Sequence, residues 1–217
     1  MCAAEGAHCN PQAPPPFPPE HEAADDSYFT DALFIGDSMM DDVEMLDLFP
    51  TANFVCQVGM SPTTLQYKQI RVKGSEERLT VYEAAERAPH KKIYILLGGN
   101  SLDHKPLASC KQEYRDMIDQ FIAAFPDSIL YVLSPPSGTE KAMQEKGLEA
   151  RRFRDFRDFM VELAAEKGLY FLDFYVLLID DQGFMDWRYD CGDGQHPHRG
   201  GYVLMEQLVR THTVAYQ

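Results

Sequence analysis

Five times along this chain a short apolar run gives way to a stretch with helical spacing, and that alternation leaves few folds open. The runs cover residues 32–35, 53–58, 92–97, 129–133 and 169–174. Apolar on both faces and closed by glycine or polar residues, they read as buried strands rather than helices. Between them the apolar residues fall three and four apart. Met39, Val43 and Leu46 share one face of a helix over 39–48, with Asp41, Asp42 and Glu44 near its positive end. Thr80 and Glu83 form a capping-box pattern for a short helix that stops before Pro89. A longer helix is expected to begin near Ser109 or Cys110, with Gln112 as box partner. It buries Tyr114, Met117, Ile118, Phe121, Ile122 and Phe125 and ends at Pro126. The next, over 148–167, buries Phe153, Phe156, Met160 and Leu163 and is stopped by Gly168; its arginines 151, 152, 154 and 157 read as a solvated, ion-paired face. A final helix spans about 201–212. Residues 71–75 read as a small turn or hairpin, and 175–199 as mostly loop. Strands and helices in strict alternation demand right-handed crossovers and a parallel sheet covered on both faces, an α/β fold of three layers.

With 217 residues the chain holds one substantial core, read here as a single domain over residues 28–217. Residues 1–27 have six prolines and almost no aliphatic side chains, the composition of a flexible, extended tether. A formal net charge of -14 argues against nucleic acid or an anionic membrane as partner, because both require clustered Lys and Arg. No run approaches the roughly 18 apolar residues of a membrane span. The five cysteines show neither a Cys-x-x-Cys pair nor a finger spacing, and Cys56 reads as a buried hydrophobe. Residues 1–10 lack the basic start and apolar stretch of a signal peptide, which taken literally means cytoplasm. A proline-rich, acidic leader also suits the cell envelope or exterior if an export signal once preceded it, and Cys2 is where a lipoprotein anchor would sit.

A parallel sheet brings its strand ends to one edge, where open α/β sheets carry their sites. Ser38, Gly59 and Asn100 follow the first three strands, and Asp193 and His196 precede the last helix near the same edge. A serine hydroxyl needs a base to take its proton, and a histidine serves best when a carboxylate holds its tautomer. Three residues separate Asp193 from His196, short enough for one turn to orient them together. The backbone N–H groups of Ser38 and Gly59 and the amide of Asn100 are candidate donors to an oxyanion. Read singly, Ser38 is equally a helix cap, Asn100 a turn residue and His196 a surface histidine.

Taken together these blocks resemble the SGNH or GDSL-type hydrolases. Gly36-Asp37-Ser38 matches the first block, with Met39 where the family name has leucine; Gly59 matches the second. Gly98-Gly99-Asn100 matches the third, with Ser101 where many members have aspartate, and Asp193 to His196 matches the last, followed by Gly201-Tyr202. The resemblance covers about residue 32 to the C-terminus. It implies a flavodoxin-like sheet of order 2-1-3-4-5, Ser38 as nucleophile, His196 as base and Asp193 as its orienter. It also implies an oxyanion hole of Ser38, Gly59 and Asn100, and no cofactor.

The expected activity is hydrolysis of a short acyl ester, acetyl on a carbohydrate, against a lysophospholipase or thioesterase with the same triad. Residues 101–109 and 134–148 are short, polar and proline-bearing, without the apolar trench a long chain needs. Two other classes compete. Asp190, Cys191, Asp193, His196 and His198 could hold a metal, though nearly all from one loop. A descendant that only binds carbohydrate could use Tyr67, Trp187 and Tyr189 to stack on sugars.

Overall fold

The computed structural model describes residues 16–71 and 77–215. A 3-10 turn (Asp26–Phe29) leads into β1 (Ala32–Gly36), α1 (Ser38–Met45) and β2 (Asn53–Cys56). Then come β3 (Ile70–Arg71), β4 (Arg78–Leu79), α2 (Val81–Ala85), β5 (Lys92–Leu96), α3 (Gly99–Leu102) and α4 (Leu107–Ala124). The chain finishes with β6 (Ile129–Leu133), α5 (Glu140–Glu145), α6 (Ala150–Lys167), β7 (Tyr170–Leu172), α7 (Phe174–Leu178) and α8 (Arg199–Thr211). Five strands form one parallel sheet in the order β2-β1-β5-β6-β7, the expected 2-1-3-4-5 when the strands of this sheet alone are counted. β3 and β4 pair antiparallel outside it; residues 72–75 of the turn expected there lie outside the described residues.

Period-two alternation divides the strand residues between two cores. Leu33, Ile35, Ile93, Ile95, Val132 and Phe171 face α4 and α6, whose Tyr114, Phe121, Phe156 and Met160 cover them. Phe34, Tyr94, Tyr131 and Leu172 face α1, α7 and α8 through Met40, Val43, Phe174 and Met205. On this second face one register row reads Phe54, Phe34, Tyr94, Tyr131, Tyr170 across all five strands. Their rings stack at centroid separations of 5.1, 4.6, 4.4 and 5.3 Å. Cross-strand aromatic pairs of this kind pin register, since a one-residue slip would send every ring to the opposite face.

Several expectations are corrected. α4 begins at Leu107, earlier than residue 109, because Pro106 stands at its N-cap, and Gln112 bonds Asp116 instead of closing a box. The segment after β7 opens with α7, in which Phe174, Tyr175 and Leu178 are buried. α3 and α5, of four and six residues, are too short to leave a helical period in the sequence. α8 starts two residues early, at Arg199, capped by His198.

Residues 16–27, expected as part of the tether, lie against the body, while 1–15 fall outside the described residues. Phe171 N–H donates to the Pro16 carbonyl at 2.5 Å, and Phe17 meets the Phe171 ring edge-on. His21 and Ala24 N–H groups donate to the carbonyls of Thr211 and Arg210. Proline cannot donate, but its carbonyl still accepts, so a proline-rich segment can line a sheet edge. Nor is the arginine face of α6 wholly solvated: Arg152 donates to the carbonyls of Leu102 and Lys105, and Arg157 engages Asp173 at the end of β7. The capping box of α2 forms as expected between Thr80 and Glu83.

Candidate active site

β1 ends where only glycine fits. A Cβ on Gly36 would lie 2.5 Å from Met40 Cβ and 2.8 Å from the Leu96 carbonyl, so α1 can fold back over the strand end only because Gly36 has none. Asp37 then caps α1, its Oδ1 accepting from Met39 N–H at 3.1 Å. Ser38 is the first residue of that helix, so its N–H has no intrahelical partner and its hydroxyl stands at the strand edge.

The other strand ends converge on it. Gly98, with φ of +118°, turns the chain from β5 into α3 and packs where a side chain would strike Phe156. Asn100, in α3, donates from Nδ2 to Asp37 Oδ2 and to the Met60 carbonyl, both at 3.0 Å. One amide thus ties together the ends of β1, β2 and β5. Gly59, with φ of +70°, makes the turn after β2. Asp37 is 6% exposed. Its burial pushes the carboxyl up to about 6, against the pull of the Met39 N–H and of His196.

The loop before α8 is folded around its own carboxylates. Asp190 Oδ1 accepts from the N–H groups of Gly192 and Gly194, and Asp193 Oδ1 from those of Gln195 and His196, the last two at 2.8 Å. This leaves Asp193 Oδ2 to accept from His196 Nδ1 at 2.7 Å, and His196 Nε2 to meet Ser38 Oγ at 2.8 Å. Partial burial of Asp193 opposes its ionisation. The His196 and Gln195 N–H groups and the His196 ring outweigh that and hold its carboxyl down to about 2. An ionised Asp193 keeps the proton on Nδ1 and leaves Nε2 free to accept from Ser38 Oγ. Tyr202, on α8, donates to Asp42 on α1 at 2.6 Å and so holds the histidine loop against the serine helix.

The structure therefore brings Ser38, Asp193 and His196 into one hydrogen-bonded chain, with Asn100 beside it through Asp37. The sequence reading did not anticipate that Asp37 and the Met60 carbonyl hold the Asn100 amide. The cap expected at Ser38 is instead Asp37, with Ser38 the first residue of α1. Ser101 is buried, and its hydroxyl makes no hydrogen bond among the described residues. Of the residues considered for a metal, Asp190, Cys191 and Asp193 place ligand atoms within 4.8 Å of one another. His196 has its nitrogens on Ser38 and Asp193, and His198 has its own on Gly200 N–H and the Arg188 carbonyl. Tyr67 and Trp187 are 70% and 79% exposed, whereas Tyr189 is half-buried against His198.

Beside Ser38 lies a cavity of about 50 Å³, whose lining includes apolar Leu96, Pro135, Pro136 and Phe153 and polar Asp103, Lys146 and Gln195. A larger one of about 650 Å³, lined by residues such as Pro126, Lys167 and Tyr170, sits at the start of β6 and β7, away from the strand ends that carry Ser38 and Asn100. Size does not locate this site; the converging chemistry does.

A family model for the GDSL-like lipase/acylhydrolase family matches residues 34–204. The chain belongs to that family, and with its Ser38–His196 pair in the SGNH architecture it is a hydrolase of the ester-cleaving type. Among curated proteins none matches it significantly. Among solved structures it is similar to a Bacteroides fragilis protein provisionally assigned as an acylhydrolase, with 14% identity, 95% of this chain and 96% of that one covered, and a TM-score of 0.63. A Streptococcus pneumonia protein provisionally described as a platelet activating factor has 20% identity over 83% and 81% of the two chains, TM-score 0.61. A family two carbohydrate esterase from Clostridium thermocellum has 14% identity over 82% and 61%, TM-score 0.52. At these identities the likeness is one of fold. No helix among the described residues is long and apolar enough to cross a membrane.

Proposed function

We propose that this chain removes short acyl groups, above all acetyl, from acylated carbohydrates, with Ser38 as nucleophile, His196 as base and Asp193 as its orienter. Ser38 Oγ attacks the ester carbonyl as its proton passes to His196 Nε2. The oxyanion is received by the N–H groups of Ser38 and Gly59 and by Asn100 Nδ2. Because the resting Asn100 amide points at Asp37 and Met60, it must give up part of one of these bonds as charge develops on the substrate. His196 returns its proton to the leaving alkoxide, and water then repeats the sequence on the acyl-serine.

The observation that carries the substrate size is the cavity of about 50 Å³ beside Ser38. Pockets for larger ligands run from roughly 300 to 1,000 Å³, and a long acyl chain needs a continuous apolar trench. On the alcohol side, a net charge of -14 disfavours phosphorylated head groups, and exposed Trp187 and Tyr67 have faces that suit sugar rings. The carbohydrate esterase of the same fold is consistent with that reading.

The test compares p-nitrophenyl esters from acetate to palmitate and measures acetate released from acetylated xylan or peptidoglycan fragments. We expect kcat/KM to be highest for acetate, with acetate freed from a glycan. Rising kcat/KM beyond about eight carbons with no glycan deacetylated would reject the reading in favour of a lipid or thioester substrate.

A further inference from the structure

One wall of the cavity beside Ser38 is made of charge. Asp103 ends α3, Lys146 ends α5, and Gln195 lies between Asp193 and His196. Lys146 Nζ donates to both the Asp103 carboxylate and Gln195 Oε1, which joins three separate segments at the cavity. The Lys146 and Asp103 side chains are 29% and 14% exposed, so the pair is held in place yet keeps contact with water. All three residues line the same cavity as Ser38 and His196.

We infer that the Lys146–Asp103–Gln195 bridge is a specificity-determining wall that limits the length of the acyl group Ser38 can accept. The inference rests on the reading of Ser38 as the nucleophile. An acyl chain longer than the cavity would press its methylenes onto the bridge. It would strip water from Lys146 and Asp103 while offering neither a hydrogen bond. Sheltering each further methylene from water favours a longer chain, and against a charged wall that gain is lost. An acetyl group stops short of it and leaves the pair hydrated.

A purely structural role predicts something else. Since Gln195 N–H bonds Asp193, the bridge also braces the histidine loop, and losing a brace would slow every ester by the same factor. Losing a wall instead changes the ratio between long and short esters. The experiment is therefore the ratio of kcat/KM for p-nitrophenyl octanoate to that for acetate in the wild type, Lys146→Ala and Lys146→Arg, each checked for an unchanged thermal melt. We expect Lys146→Ala to raise the ratio by about tenfold, the equivalent of roughly two sheltered methylenes, and Lys146→Arg to keep the wild-type ratio. An unchanged ratio in Lys146→Ala, whatever its overall rate, would overturn the inference.

A second readout needs no turnover: the rate at which p-nitrophenyl alkylphosphonates of two and eight carbons label the protein, followed by intact mass. The same rise in the long-to-short ratio is expected, and an equal ratio in both proteins would count against the wall. Ester turnover or labelling that persists in Ser38→Ala would instead overturn the underlying assignment of the nucleophile.

Discussion

Asn100 holds an unusual position for a residue read as an oxyanion donor, because its amide is already engaged by Asp37 and by the Met60 carbonyl. This pre-orients the group, and under the proposed mechanism it acts in the transition state, where the acceptor is a full oxyanion rather than a carbonyl. Asn100→Ala is accordingly expected to lower kcat by about 10²-fold with little change in KM. A raised KM at constant kcat would make it a substrate-binding residue instead. The partner carboxylate carries its own signature. The Asp37 carboxyl, pushed up to about 6 by burial, sits well above its ordinary value, so folding favours its protonated form. Its contribution to stability is fully present below about pH 4 and is lost as pH rises through about 6. Asp193 runs the other way: with its carboxyl held down to about 2, its contribution is present above about pH 4 and lost as pH falls toward 2. The stability of the wild type relative to Asp37→Asn should therefore decline between about pH 4 and pH 6, read from thermal melts across that range. A constant difference would show that Asp37 titrates as an ordinary carboxylate.

At the scale of elements, the site depends on how closely α1 and α3 approach the strand ends. Gly36→Ala forces a methyl to within 2.5 Å of Met40 Cβ and 2.8 Å of the Leu96 carbonyl, neither of which is the end of a flexible side chain. We expect a loss of about 1–3 kcal/mol in stability, measured by denaturant unfolding, as for other overpacked sites. A neutral substitution would mean that α1 is free to shift. These elements also show what was legible in advance. β1, β2, β5, β6 and β7 stood out because continuous apolar runs closed by glycine or polar residues read as buried strands; Ser38 followed from where the first run ends, and Asp193 and His196 from their place before the last helix. α3 and α5 could not be read, since four to six residues cannot display a 3.6-residue period. Those two helices deliver Asp103 and Lys146 to the cavity, so the wall of the site was hidden with them. α7 was missed for a different reason: its Phe174, Tyr175 and Leu178 continue the apolar run of β7, and composition does not mark where a strand becomes a helix.

In the molecule as a whole, the parallel sheet brings Asp37 and Ser38 together with Asn100 at one edge, where His196 of the loop before α8 meets them, while the two cores beneath hold the strands in register. Long-range closure is secured by α8, which Tyr202 fastens to α1 and which the segment of residues 16–27 straps from outside. Residues 158 positions apart in sequence thereby meet at 2.8 Å as Ser38 Oγ and His196 Nε2. We propose that this contact makes Ser38 a nucleophile. It is tested most directly by rapid-quench intact-mass measurement of the protein mixed with p-nitrophenyl acetate. We expect a burst of p-nitrophenol together with a protein species heavier by one acetyl group, located on Ser38 by peptide mapping and absent from Ser38→Ala and from His196→Ala. Steady hydrolysis by a folded Ser38→Ala protein, or an acetyl group found on another residue, would contradict it.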